Sequence, residues 1–141
     1  MPALYRPADQ LEVFKIAAKD TNKFALIADP IRDGVPFFAC VEIFDPCGAT
    51  PPNTHADAHE MFFVLSGTGI ARAGDVETPI GPGDAVVVKP GHEHVIHNTG
   101  AERLYTLTVM IPNEGFAELI RSGLKASLDG IDLAALTGAS R

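Results

Sequence analysis

The chain has 141 residues, 46% hydrophobic and 21% charged, with a formal net charge of −7. That length suits one domain with a core large enough to need no disulfide or metal staple. An acidic balance without a Lys/Arg run argues against a nucleic-acid partner, and the lack of a long apolar segment argues against a membrane span.

The N-terminal stretch lacks the apolar core of a signal peptide, so the expected location is cytoplasmic. Short apolar runs then follow one another: FALIA (24–28), PFFACVEIF (36–44), MFFVLSG (61–67), TGIARAG (68–74), AVVVKP (85–90), HVIHN (94–98) and RLYTLTVMIP (103–112). Each reads as a strand, because the residues between them (Asp-Pro, Pro-Pro, Ser-Gly, Gly-Pro-Gly-Asp, Pro-Gly, Asn-Thr-Gly) are turn chemistry. Many short strands at intervals of about ten residues predict a sandwich or barrel. GIARAGD with Thr78 reads as a surface hairpin. Beyond residue 112 the pattern turns helical. Asn113 suits an N-cap, Glu114 and Glu118 suit a helix start, Phe116, Leu119 and Ile120 recur at helical spacing, Gly123 suits a stop, and IDLAAL (131–136) is a second short helical piece. The expected architecture is one all-β body over residues 1–141, its barrel core at about 36–112 and its helical tail at about 113–137.

Three details carry expectations about packing. Cys40 and Cys47 are too distant along the chain's extended path to bond, so both read as free thiols, Cys40 buried and Cys47 in a turn. Glu42 shares strand parity with Phe38, Cys40 and Phe44, and is read as an edge or solvent-face charge in slight preference to a second interior carboxylate. In EMFFVL both strand faces are apolar, so both need cover. The barrel interior supplies one cover. The tail, a second sheet or another subunit supplies the other, and a homodimer is the economical choice.

The stretch NTHADAHE (53–60) places polar groups at the mouth of that run. His55 and Glu60 are five apart and would oppose each other on one uninterrupted strand; a turn or bulge at 56–58 lets them converge. They read either as metal ligands or as a solvated turn. A second histidine-bearing stretch lies at 81–98, GPGDAVVVKPGHEHVIHN.

Taken together the two stretches resemble the paired motifs of the cupin family. Asn53, His55, Glu60 and Gly67 follow the spacing of the first motif, with Asn53 where the family has a first His and the upstream glycine, Gly48, one residue closer. Gly83, Gly91, His94 and Asn98 follow the second motif, with Lys89 at the proline position and Pro90 beside it. The resemblance implies a double-stranded β-helix, or jelly-roll barrel, with a divalent metal held inside by His55, Glu60 and His94. Asn53 is a poor ligand for most transition metals. His59 points away from Glu60 and belongs to the rim or an interface, with ligation the minor alternative.

Two imidazoles and one carboxylate make the facial triad of non-haem Fe(II), which favours iron; the same ligands also suit Mn, Ni, Zn or Cu. The expected function is a metal-dependent enzyme acting on a small organic molecule, with dioxygenase chemistry favoured over isomerase or decarboxylase chemistry. The alternative is a non-catalytic barrel that binds or senses a small ligand, with or without metal. His92 is placed at the pocket mouth and His97 in solvent. His92, Glu42 and Tyr105 are candidate proton shuttles, Phe62 and Val64 line either a pocket or plain core, and Lys89 is read as exposed.

Overall fold

The computed structural model describes residues 2–138. Its larger antiparallel sheet runs β10 (Leu124–Ala126), β1 (Glu12–Lys15), β2 (Asn22–Ala28), β3 (Phe38–Phe44), β9 (Leu104–Ile111), β4 (His59–Ser66) and β7 (Ala85–Val88). The smaller one runs β6 (Val76–Ile80), β5 (Gly69–Ala73) and β8 (His94–Asn98). Isolated bridges Ala49↔His97 and Asn53↔His94 stitch the 49–53 segment onto β8. The two sheets form the jelly roll that the motifs imply, and every strand read from the sequence is present.

Alternation along the strands divides the core. Phe38, Cys40 and Met110 share one inner cluster with Phe24 and Leu26; Phe44, Phe62 and Val64 share a second with Ala71, Ile96 and Leu104. Gly67 turns the chain at φ +89, and a Cβ there would sit 2.6 Å from the Arg103 carbonyl oxygen, so that corner admits no side chain. Asn98, fully buried, donates from Nδ2 to the carbonyls of Phe44, Asp45 and Glu102 and accepts from Gly100 N at 2.9 Å. The motif asparagine therefore staples three loop ends together.

The tail divides into two jobs. Helix α2 (Phe116–Arg121) turns Phe116, Ala117 and Ile120 into the inner cluster, closing one end of the barrel. The N-cap position falls to Gly115, in the left-handed region, and not to Asn113 as expected; Asn113 stands two residues earlier, and its Oδ1 accepts from Ala117 N at 2.9 Å. Helix α3 (Gly130–Thr137) follows β10, and the tail lays Ala126, Leu128 and Leu136 over the outer faces of Val13, Ala25, Val41, Ile43 and Tyr105. That cover reaches β1, β2, β3 and β9 but not β4, where Phe63 and Leu65 stay exposed at 37% and 42%. Strands β1 and β10 were not expected. Each is a short run, and their pairing (Phe14↔Lys125) joins distant parts of the chain, so neither leaves a local signature.

The burial of β3 also corrects the reading of Glu42. Every residue of β3 is buried, with β2 and β9 on its flanks and the tail over its outer face, so the strand has no wet side. Glu42 is an interior carboxylate, 2% exposed. Tyr105 is misread in the opposite sense. It faces outward under α3, where its hydroxyl donates to Asp132 at 2.7 Å, and it has no access to the barrel interior. Cys40 is buried and Cys47 exposed, both free thiols as expected.

Candidate metal centre

Three backbone devices bring the candidate ligands together. His94 opens β8 with its backbone paired to Asn53, His94 N to Asn53 O at 2.8 Å and Asn53 N to His94 O at 3.1 Å. Glu60, second residue of β4, points inward on the same face as Phe62 and Val64. His55 sits in the bend before β4, and its carbonyl accepts from Gly91 N at 2.7 Å, which ties the first histidine stretch to the second. The bend is clasped from the far side. Glu114 accepts from the backbone N–H groups of Ala56, Asp57 and Ala58 at 3.0, 2.6 and 2.9 Å. The sequence marked Glu114 only as suited to a helix start; its role as a clasp left no pattern, since its partners are backbone groups distant along the chain.

The result is tight convergence. His55 Nε2 lies 3.0 Å and His94 Nε2 2.9 Å from the same oxygen, Glu60 Oε1. One ligand atom from each residue falls within 4.8 Å of the others. Burial alone would raise the Glu60 carboxyl, but hydrogen bonds from both imidazoles and their charges outweigh it and hold the group below the ordinary carboxylate range. His55 moves upward, chiefly through its hydrogen bond to Glu60; burial opposes this and the Glu60 and Glu114 charges add to it.

The donor set fits a divalent cation. His94 Nδ1 faces the His92 carbonyl at 3.4 Å, and His55 Nδ1 lies 4.0 Å from Glu114 Oε2. With the His94 Nδ1 proton donated to the His92 carbonyl, and His55 in the same tautomer, both Nε2 atoms present lone pairs to a carboxylate oxygen. Three electron-rich atoms this close need positive charge between them, either protons or a metal ion.

Glu60 and His94 line a cavity of about 210 Å³ together with Asn53, Glu42, Phe24 and Phe62. Phe116 closes it and stands edge-on to Phe24, Phe38 and His55 with ring centroids 5.8, 5.2 and 5.9 Å apart. Two strands from Glu60 on the same sheet, Glu42 Oε2 accepts from Asn22 Nδ2 at 2.8 Å and Oε1 meets Thr108 Oγ1 at 3.4 Å. Burial, and then the charge of Glu60, push the Glu42 carboxyl up to about 8, with the two hydrogen bonds pulling the other way.

The remaining candidates sort by position. Asn53 is half-buried and lines the cavity; His59, His92, His97 and Lys89 are exposed and line none of it. Phe62 lines the cavity, whereas Val64 is plain core. Asn22, Phe24 and Phe116 were not singled out from the sequence. Phe24 and Phe116 could have been suspected only as apolar residues of a strand and a helix, which says nothing of what they enclose.

Comparison with known proteins completes the picture. The family model for the cupin domain matches residues 40–110. No curated protein gives a significant match. Among solved structures, a predicted oxalate decarboxylase from Thermotoga maritima is similar at 20% identity and a TM-score of 0.70, covering 77% of this chain and 99% of that one. A Cupin 2 conserved barrel domain protein from Salinispora arenicola is similar at 17% identity and 0.63, covering 85% and 94%. An oxalate oxidase is similar at 16% identity and 0.62, covering 71% and 55%. At these identities the likeness is one of fold.

Proposed function

The chain belongs to the cupin domain family, and from that premise we propose that it is a metal-dependent enzyme acting on a small organic molecule, with His55, Glu60 and His94 as the metal ligands. The observation that carries the reading is the convergence of two Nε2 atoms on one buried carboxylate oxygen at 3.0 and 2.9 Å. A divalent ion bound there supplies Lewis acidity, and iron, the ion the two-His, one-carboxylate set favours, adds redox chemistry with O2. The chain's own residues do the rest. The His92 carbonyl orients the His94 imidazole, Glu114 clasps the bend next to His55, Phe24, Phe62 and Phe116 give the cavity apolar walls, and Glu42 offers a hydrogen-bonding group two strands from Glu60. Dioxygenase chemistry is the favoured class.

One observation favours a second reading, a barrel that binds a small ligand without turnover. Asn53 stands where the family motif has its first histidine, and an amide adds no strong ligand to the three present. The apolar outer face of β4, with Phe63 and Leu65, and Val87 of β7 (63% exposed) is consistent with a homodimer, which sedimentation velocity would test.

The deciding experiment is elemental analysis of the untagged protein as purified, beside Glu60→Gln and His94→Ala. Near-stoichiometric divalent metal, lost in both variants, is expected. No metal after anaerobic reconstitution with Fe(II), Mn(II), Ni(II) and Zn(II) would overturn the proposal in favour of the ligand-binding barrel.

A further inference from the structure

Among the described residues four acids are buried: Asp29, Glu42, Glu60 and Asp132. Three have partners that account for their charge. Arg121 Nη2 meets Asp29 at 2.7 Å, Lys23 Nζ meets Asp132 at 2.7 Å, and two imidazoles meet Glu60. Glu42 has no cation. Its neighbours are an amide, a threonine hydroxyl at a long 3.4 Å, and Phe24 and Thr106 directly opposite in register on β2 and β9. A carboxyl group has about four acceptor sites, and this one spends about two on the protein. Burial of an acid without a charged partner is costly, and a hydrophobic residue would fill a core position at no such cost. What distinguishes the position is that Glu42 lines the same cavity as Glu60 and His94.

The charge of that cavity is equally informative. Its lining includes the acids Asp20, Glu42 and Glu60 and, among the described residues, neither lysine nor arginine. A ligand carboxylate seated beside Glu42 would leave water with no lysine or arginine among the described lining residues to offset its charge, whichever protonation state Glu42 holds. A hydroxyl, amide or ester carbonyl there can accept from or donate to Glu42 at no electrostatic cost.

We infer that Glu42 anchors the ligand, and that the cavity takes a small molecule with one anionic or chelating group at His55, Glu60 and His94 and an uncharged hydrogen-bonding group beside Glu42, in preference to a dicarboxylate. The inference rests on the metal reading above for the near end only.

The test is isothermal titration of the metal-loaded full chain with malonate, succinate and glutarate and with their monoamides malonamate, succinamate and glutaramate. Metal content is read in the same samples. For the length that spans the cavity, the monoamide is expected to bind at least about tenfold more tightly than the dicarboxylate of equal length. Glu42→Gln, which keeps the shape and hydrogen bonds, and Glu42→Leu should each shrink that ratio to within about threefold with metal content unchanged. A wild-type protein that prefers the dicarboxylate at every length, or binds none of the six compounds, overturns the assignment, as does a ratio untouched in both variants. Protein that holds no metal instead overturns the near-end reading. A full metal complement without monoamide preference overturns the Glu42 assignment alone.

Discussion

Two buried acidic clusters, one on each face of the same sheet, use their charge in opposite ways. On the outer face Asp132, fully buried, caps α3 from within its capping box and gathers Lys23, Arg103 and the Tyr105 hydroxyl at 2.7, 2.9 and 2.7 Å. Two cations answer one buried acid, so that cluster is closed to further partners and fastens the tail over β2 and β9. On the inner face Glu42 and Glu60 line a cavity with His94, His55 also meets Glu60, and among the described residues no lysine or arginine lines it. A cluster that satisfies itself stabilises a fold. A cluster left short of positive charge is a place for a ligand.

The comparison can be broken first at Asp132. Replacing it with alanine leaves Lys23, Arg103 and Tyr105 facing a partly covered gap, and should cost about 3–5 kcal/mol of stability in urea unfolding. A cost under about 1 kcal/mol would mean that the outer cluster is ornamental and the contrast with the inner one is empty.

The inner cluster makes a smaller, pH-dependent prediction for metal-free protein. Glu42 holds its proton up to about 8 in the folded state, against an ordinary value of 4.5, so between those values the folded chain binds more protons than the unfolded one. Its contribution to stability is therefore complete below about pH 4.5 and is lost as the pH rises toward 8. Wild type should fall relative to Glu42→Gln by on the order of 2 kcal/mol across that window, discounted for the water a cavity admits. Parallel stability curves for the two proteins would place Glu42 in an environment no different from solvent.

The smallest effect concerns the exposed clasp between the regions. Glu114→Gln weakens three charge-assisted hydrogen bonds to the 56–58 bend without touching the core. Amide hydrogen exchange should quicken at Ala56, Asp57 and Ala58 while the strands keep their protection; unchanged exchange at those three amides would show that His55 is positioned by Gly91 alone.

Much of the barrel was legible before the fold, because its signals are local. Short apolar runs marked the inner strands, turn dipeptides marked their ends, and Gly67, Gly91 and Asn98 stood at motif spacings where the fold has a corner, a turn at positive φ and a staple. His55, Glu60 and His94 were legible as a set through the same spacing, and the fold brings them together as one group. Glu42 and Tyr105 were misread for a shared reason. Strand parity tells which residues share a face, but not what lies against that face, and the covering layer of β10 and α3 arrives from the far end of the chain.

By itself, then, the sequence determined the all-β class, the positions of the inner strands along the chain and which three polar residues converge, since apolar runs, turn chemistry and motif spacing are properties of neighbours along the chain. Only the tertiary structure decided which sheet face is covered, that Phe116 closes the cavity, that Glu114 clasps the His55 bend and that, among the described residues, Glu42 stands in the cavity without a cation. Those facts join residues tens of positions apart, and burial and charge pairing, which set their energies, exist only once the chain has closed on itself.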